Sequence, residues 1–135
     1  MGCFWTGEMQ IGQLDGVVTT EAGFIGGREV TLVKYDPAIL SLNRLAGAAG
    51  RVRCADAVYV PVAEFGAARS AGLSPEPLAG YRAAPASDQK KQIQGTAAAK
   101  LNLQDAQATK VNAWLRTDTA KALEFLTPAQ RKRMR

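Results

Sequence analysis

The sequence predicts an α+β domain in which a small mixed or antiparallel sheet is flanked by helices and followed by a helical C-terminal tail. Two patterns indicate this class. β-Branched residues fill two neighbouring stretches near the N-terminus, and apolar residues recur at helical spacing in the last third of the chain. The 135 residues are enough for one compact domain. We therefore expect an α+β domain over residues 1–93 and a helical extension over residues 94–135 that packs on it.

The N-terminal part contains the main predicted sheet. The residues up to Leu14 are broadly helical, and Asp15-Gly16 ends that helix. Residues 17–24 are rich in β-branched side chains, and residues 29–35 alternate between two faces, so both stretches predict strands. The glycine pair Gly26-Gly27 between them predicts an antiparallel hairpin.

Shorter elements are predicted to follow. Ser41 is a suitable N-cap for a helix over residues 42–49, which Gly50 would end. Residues 57–62 predict a third strand interrupted at Pro61, and residues 63–71 predict a short helical turn. Residues 72–85 are rich in glycine and proline and predict an irregular loop.

The last third of the chain is predicted to be helical. Ser87 is expected to cap a helix running through Gln92, and Gly95 predicts a break. Apolar residues form a helical stripe over residues 103–115, and a further short helix is expected over residues 119–126. The segment 127–130, Thr-Pro-Ala-Gln, has the form of a capping box at the start of a last helix.

Composition excludes several classes of partner and site. The net charge of +5 lies largely in the basic residues of the C-terminus, which predicts a solvated tail and no nucleic-acid site. No apolar run is long enough to span a membrane. The chain has no histidine, and its only cysteines are Cys3 and Cys54, so neither Ser-His nor Cys-His catalysis nor a metal site is expected. The default expectation for location is the cytoplasm, or the bacterial periplasm if a leader was removed.

Cys3 is the candidate nucleophile. It lies at or near the start of the first predicted helix, where unpaired backbone N–H groups and the helix dipole lower the pKa of a thiol. Phe4 and Trp5 follow it directly and would form the wall of an apolar pocket. The alternative interpretation is that Cys3 is a small core residue beside ordinary aromatic packing.

Three segments together resemble one family. Gly2-Cys3-Phe4-Trp5 resembles the signature of peptide methionine sulfoxide reductase A, and Glu8 falls where that family often has an acidic residue. Residues 14–27 are similar to the family's "PGV…GYAGG" segment, and residues 29–37 to its "HAEVVRVVYDP" segment. The segments occur in the family's order, and the resemblance covers residues 2–42. It implies the family's fold, here truncated, and it implies that Glu29 is the catalytic glutamate.

The chain also departs from the family pattern. Only Arg28 separates Gly27 from Glu29, where the family has a long loop that carries a tyrosine for the sulfoxide oxygen. The family's histidine before the glutamate and its first strand, which leads into the cysteine, have no counterpart either. Residues 81–83 are similar to part of the family's "DxGxQYRS" motif. This match implies that Tyr81 binds the sulfoxide oxygen and that Glu76 replaces the aspartate.

The resemblance implies an oxidoreductase that repairs proteins under oxidative stress by reducing the S epimer of methionine sulfoxide, in peptides or as the free amino acid. Cys3 would attack the sulfoxide sulfur and become a sulfenic acid, while Glu29 supplies a proton. Phe4 and Trp5 would hold the S-methyl group, and Tyr81 would bind the oxygen. No cofactor is implied, since an external thiol or a thioredoxin-like protein would act as the reductant.

The role of Cys54 and the function itself leave alternatives open. Cys54 is either the resolving cysteine, which would form a disulfide with oxidised Cys3, or a small buried residue. A non-catalytic binding or structural domain on the same scaffold, or a general thiol redox protein, would also fit the sequence. The enzyme is favoured because the cysteine, both aromatic residues and Glu29 are all present. We therefore expect Cys3 and Glu29 to face one shallow pocket beneath Trp5.

Overall fold

The fold is α+β, as predicted: a small antiparallel sheet is flanked by helices. The computed structural model describes residues 4–51 and 57–134. The helices are α1 (Phe4–Gly12), α2 (Leu42–Arg51), α3 (Phe65–Ser70), α4 (Asp105–Trp114), α5 (Thr119–Leu123) and α6 (Pro128–Arg133). The strands are β1 (Val17–Ile25), β2 (Arg28–Tyr35), β3 (Val58–Val60), β4 (Pro75–Pro77) and β5 (Tyr81–Ala83). In the described part of the chain, no helix is long and apolar enough to cross a membrane.

The predicted hairpin is confirmed and forms the centre of the main sheet, whose strand order is β2-β1-β5. β1 and β2 pair antiparallel, with Ile25 opposite Arg28 and Phe24 opposite Glu29. The two residues between the strands, Gly26 and Gly27, have φ values of 56° and 78°. Positive φ at both central positions is the requirement of the two-residue turn that matches the natural twist of a hairpin. Only glycine adopts it without strain.

Helix α1 covers one face of the hairpin, and α4 packs against both α1 and β1. The two helices approach closely at Gly12, where an added Cβ would lie 3.1 Å from Ala113 Cβ and 3.3 Å from Thr109 O. Between α1, the hairpin and α2 lies an apolar cluster of buried side chains, which comprises Ile11, Val17, Leu40, Leu45 and Ala49. The sheet, α1 and α2 therefore share one core.

The helical tail has an apolar core of its own. It contains Ile93, Ala98, Leu101, Val111, Leu115, Ala122 and Leu126. Because α4 belongs to this cluster and also contacts α1 and β1, it joins the tail to the sheet. The division of the chain at residues 93 and 94 stays a prediction.

The helix caps follow the sequence. The amide of Arg44 donates to Ser41 Oγ at 3.2 Å, which confirms Ser41 as the N-cap of α2. At α6 the amide of Gln130 donates to Thr127 Oγ1, and the amide of Thr127 donates to Gln130 Oε1. This reciprocal pair is the predicted capping box.

The prediction of an irregular loop over residues 72–85 is wrong. The stretch contains β4, which pairs in parallel with β3, and β5, which pairs antiparallel with β1. β3, a 3₁₀ turn (Val62–Glu64), α3 and β4 together form a small β-α-β unit. Strands of three residues are too short for a periodic pattern, and their partners are distant in sequence, so local composition does not reveal them.

The predicted helix over residues 87–92 is also absent from the structure. Only Ala86–Asp88 forms a 3₁₀ turn, after which Gln89 is extended and Lys90 has a φ of 47°. The side-chain amide of Gln89 accepts from the amide of Ala22 at 2.8 Å and donates to the carbonyl of Ala22 at 2.7 Å. These bonds to β1 require an extended backbone, so the tertiary contact overrides the local helical preference.

Gly23 is the position where the main sheet tolerates no side chain. A Cβ on Gly23 would lie 2.6 Å from Cζ and from the hydroxyl oxygen of Tyr81, whose ring covers this face. We expect Gly23→Ala to lower the free energy of unfolding by about 1–3 kcal/mol, the usual cost of overpacking. Chemical denaturation measures this loss.

The matched control is Gly66→Ala, since Gly66 lies in α3 and an added Cβ there would meet no atom within 4 Å. This control should not lose stability, because alanine favours a helix over glycine. If both variants were as stable as the parent, the packing of Tyr81 on Gly23 would be contradicted.

Candidate active site

The candidate site lies where the first turn of α1 meets the start of β2. The backbone N–H of Phe4 donates a hydrogen bond to Glu29 Oε1 at 3.0 Å. The first N–H groups of a helix have no partner within the helix, and Glu29 supplies an acceptor for one of them. Glu29 is thus fixed beside the residue that follows Cys3 in the chain. Cys3 itself, like Cys54, lies outside the described residues.

The two aromatic residues pack on the same face of the sheet as Glu29. Phe4 is buried, and its ring meets the ring of Phe24 edge-on, with 5.4 Å between centroids. Because Phe24 is opposite Glu29 in the antiparallel pair, their side chains project to one face. Trp5 is half-buried beside them, and the ammonium of Lys91 lies 4.8 Å from the centroid of its ring.

Glu29 also lines a groove of about 310 Å³ that follows β2. Among the described residues, those that line this groove do not include Phe4 or Trp5. The aromatic pair therefore contacts the surroundings of Glu29 without lining the groove. The expectation that the carboxylate faces a pocket directly beneath Trp5 stays a prediction.

Tyr81 lies on the opposite face of the sheet from Glu29. Its ring occupies the space above Gly23, and Gly23 alternates with Phe24 along β1. Its hydroxyl is buried and, among the described residues, meets no hydrogen-bond partner within normal geometry. The structure thus brings Glu29 and Phe4 together, and Tyr81 lines the same groove as Glu29 from the opposite face of the sheet. The role predicted for Tyr81 at the sulfoxide oxygen stays a prediction.

A buried ion pair holds α1 in place. The side chain of Glu8 is fully buried and lies 2.6 Å from Lys90 Nζ, which also donates to the carbonyl of Thr20. Glu8 accepts two more hydrogen bonds, from Thr20 Oγ1 at 3.0 Å and from the amide of Lys90 at 2.8 Å. The amide of Thr20 in turn donates to Thr109 Oγ1 on α4 at 3.1 Å. One carboxylate therefore ties α1 to β1 and to Lys90, and Thr20 extends this network to α4.

Part of this network is indicated indirectly by the sequence. Glu8 stands four residues after Phe4 and three before Ile11, which places it on the buried stripe of α1. A carboxylate at such a position requires a partner. Lys90 carried no such signal, because it lies in a segment predicted to be an ordinary helix.

No metal centre is formed in the described part of the chain, where no group of three or more acidic or cysteine side chains is gathered. A carboxylate, a helix N-terminus and an aromatic pair remain as the chemical groups of the site. This set can bind an uncharged polar group and transfer a proton to it.

Comparison with known proteins gives a partial relationship. No protein-family model and no solved structure match the chain. Three curated proteins named as peptide methionine sulfoxide reductases are similar over 62 aligned positions: those of Rhizobium meliloti at 40% identity, Vibrio vulnificus at 39% and Brucella ovis at 37%. Each match covers 33% of this chain and 29%, 30% and 28% of the relative, respectively. This chain is related to them distantly or in part.

The matched region spans less than a third of the length of these relatives. The 62 aligned positions outnumber the third of this chain that they cover, so the alignment contains gaps on its side. The relationship supports an oxidoreductase at the level of the family.

The buried ion pair should dominate the stability of α1. We expect Lys90→Met to lower the free energy of unfolding by about 3–5 kcal/mol, because it leaves the carboxylate of Glu8 buried without its cation. Denaturant titration measures this change. Lys100→Met, at an exposed position, is the control and should change stability by less than about 0.5 kcal/mol.

The double variant Glu8→Leu/Lys90→Met tests the reason for that loss. It removes both charges, so it should be more stable than Lys90→Met alone. Equal stability of the single and the double variant would contradict the coupling between Glu8 and Lys90.

The hydroxyl of Tyr81 should make stability depend on pH in the alkaline range. Burial, with a contribution from the nearby carboxylate of Glu21, raises the pKa of Tyr81 above its usual value of 10. Below pH 10 the phenol is neutral in both the folded and the unfolded chain. Above pH 10 the unfolded chain loses this proton while the folded chain keeps it, so stability falls as pH rises.

Tyr81→Phe should therefore lose less stability than the parent between pH 8 and pH 11, as measured by denaturant unfolding at each pH. Parallel declines for the two proteins would show that Tyr81 titrates alike in both states.

Proposed function

We propose that this protein is a thiol-dependent reductase of methionine sulfoxide that uses Cys3 as nucleophile and Glu29 as proton donor. One observation carries the proposal: Glu29 Oε1 accepts a hydrogen bond from the amide of Phe4, the residue that follows Cys3. Phe4 begins α1 and Glu29 belongs to β2. The residue next to the predicted nucleophile therefore contacts the predicted acid across two elements. The partial relationship to peptide methionine sulfoxide reductases supports the same chemistry.

The proposed step transfers the sulfoxide oxygen to the cysteine. A sulfoxide is a poor electrophile until its oxygen receives a proton or a strong hydrogen bond. Glu29 donates this proton while the thiolate of Cys3 attacks the sulfur. This attack forms a bond between the two sulfur atoms. The protonated oxygen then moves from the substrate sulfur to the sulfur of Cys3, the sulfur–sulfur bond breaks, and the substrate leaves as the thioether methionine while Cys3 becomes a sulfenic acid. Sulfur in the substrate is reduced by two electrons, and sulfur in Cys3 is oxidised by two.

The position of Glu29 suits this role. A protonated carboxyl group accepts a hydrogen bond with one oxygen and donates with the other. Oε1 accepts from Phe4, and no described residue is bonded to Oε2, which is thus the oxygen assigned to the substrate. The partial positive charge of the α1 N-terminus would stabilise the attacking thiolate. The aromatic pair, Phe4 and Trp5, is assigned to the S-methyl group.

The catalytic cycle needs a reductant, and the proposal assigns no cofactor. The sulfenic acid on Cys3 condenses with a thiol to give a disulfide and water. This thiol is either Cys54 or an external one, and a second thiol equivalent, such as a thioredoxin-like dithiol, then restores Cys3.

Activity tests the proposal directly. We expect the protein to reduce the S epimer of dabsylated methionine sulfoxide with dithiothreitol, as followed by chromatography of the two epimers. Cys3→Ser should abolish turnover, and Glu29→Gln should lower kcat by about 10²–10⁴-fold, the range for a lost general acid.

Glu124→Gln is the matched control, because Glu124 is exposed and follows α5 in the helical tail. It should retain full activity. If the parent protein shows no turnover while Cys3 is demonstrably reduced, the proposal is contradicted.

The route of Cys3 recovery is a separate prediction. If Cys54 resolves the sulfenic acid, one equivalent of substrate should consume both thiols in the absence of reductant, as counted by thiol titration and peptide mapping. Cys54→Ser should then stop after one turnover with a thioredoxin-like reductant. Persistence of the Cys54 thiol would assign the second step to an external thiol.

A non-catalytic binding domain is the second candidate. The two-residue turn at Gly26 and Gly27 favours it, because this turn leaves out the loop that carries the family's oxygen-binding tyrosine. The activity assay distinguishes the two candidates.

A further inference from the structure

Strand β2 has an open edge. It is the outermost strand of its sheet, and among the described residues no strand and no backbone hydrogen bond occupies its outer side. The unpaired N–H and C=O groups of such an edge can pair with another extended chain. Yet most of β2 is only partly exposed, because the edge lies within the groove of about 310 Å³.

The groove has the form of a slot for a strand. Six consecutive residues of β2, residues 28–33, line it. Since consecutive side chains in a strand point to opposite faces, the groove must wrap around the edge and reach both faces. One wall is helix α2, which contributes Leu45 and Ala46, and the other wall contains Tyr59 and Val60 of β3. Most of the lining side chains are apolar.

We propose that this slot binds an extended peptide which pairs with the outer edge of β2 and presents methionine sulfoxide opposite Glu29. The inference rests on the proposed function, and it names the substrate as a peptide in strand conformation. Directly opposed residues in an antiparallel pair have their Cβ atoms about 4.5–5.5 Å apart and project to the same face. A sulfoxide side chain opposite Glu29 therefore points toward the carboxylate and the first turn of α1.

Continuity between the slot and the candidate site selects this occupant. Glu29 is both a lining residue of the slot and the acceptor for Phe4. The peptide side chains next to the sulfoxide would lie on the other face of the sheet, where the lining residues Val30 and Leu32 are apolar. The slot thus favours a peptide with apolar residues around the sulfoxide, bound through main-chain hydrogen bonds.

The test compares a hexapeptide that contains methionine sulfoxide among β-branched residues with N-acetyl-methionine sulfoxide methylamide. We expect kcat/KM to be at least about tenfold higher for the hexapeptide, since several main-chain hydrogen bonds contribute to its binding. Equal kcat/KM values would overturn this inference and leave the proposed function standing. If neither compound were reduced, the proposed function would be overturned.

A scan of N-methylated hexapeptides on the parent protein identifies the binding mode. Strand pairing uses every second amide of the peptide, so N-methylation should lower kcat/KM about three- to tenfold at alternate positions and hardly at all between them. Sensitivity without this period of two would overturn strand pairing. This readout requires no altered protein, so it does not depend on whether a variant folds.

Protein variants locate the peptide. Ala46→Trp fills the slot from α2. It should bring kcat/KM for the hexapeptide down to the value for the methylamide. Asn43→Trp is the control, since Asn43 is exposed on the same helix and does not line the slot. It should keep the higher kcat/KM of the parent for the hexapeptide. A dimer in the parent protein that Ala46→Trp dissolves would place a second copy in the slot and overturn the proposal.

Discussion

The pair of Glu8 and Lys90 is the interaction on which the arrangement of the site depends. The carboxylate of Glu8 is fully buried, and it receives hydrogen bonds from β1 and from the segment before the helical tail. A buried carboxylate without such partners would cost several kcal/mol. Helix α1 therefore has one position along the sheet at which all the donors meet Glu8. That position brings the amide of Phe4 to Glu29, although neither residue belongs to the ion pair.

This dependence explains why the irregular segment 87–94 is ordered by side chains. Gln89 takes the place of a strand beside β1, Lys90 reaches Glu8, and the amide of Gln92 donates to the buried Asn112 on α4. Each bond joins a residue of the segment to a different element. The helical tail is thus linked to the candidate site through polar contacts as well as through the packing of α4.

The sequence predicted those features that are decided within a few residues. The hairpin, the cap at Ser41 and the capping box at Thr127 each depend on a turn or on a bond between near neighbours. The features it missed depend on distant partners. β5 is a strand because Gly23 leaves room for Tyr81, and Gln89 is extended because its side-chain amide bonds to the amide and the carbonyl of Ala22 on β1. Glu29 was found through a resemblance, whereas its bond to Phe4 follows only from the fold.

The length of the turn between β1 and β2 is a second constraint, because it decides on which face of the sheet Glu29 lies. Side chains alternate with a period of two along a strand, so a shift of one residue in register moves every side chain to the other face. With two glycines in the turn, Glu29 is opposite Phe24 and shares the face of α1. One residue fewer would set Glu29 opposite Ile25, on the face that holds Tyr81, away from the amide of Phe4. Loss of a long loop is therefore compatible with the proposed acid only because the remaining turn preserves this register.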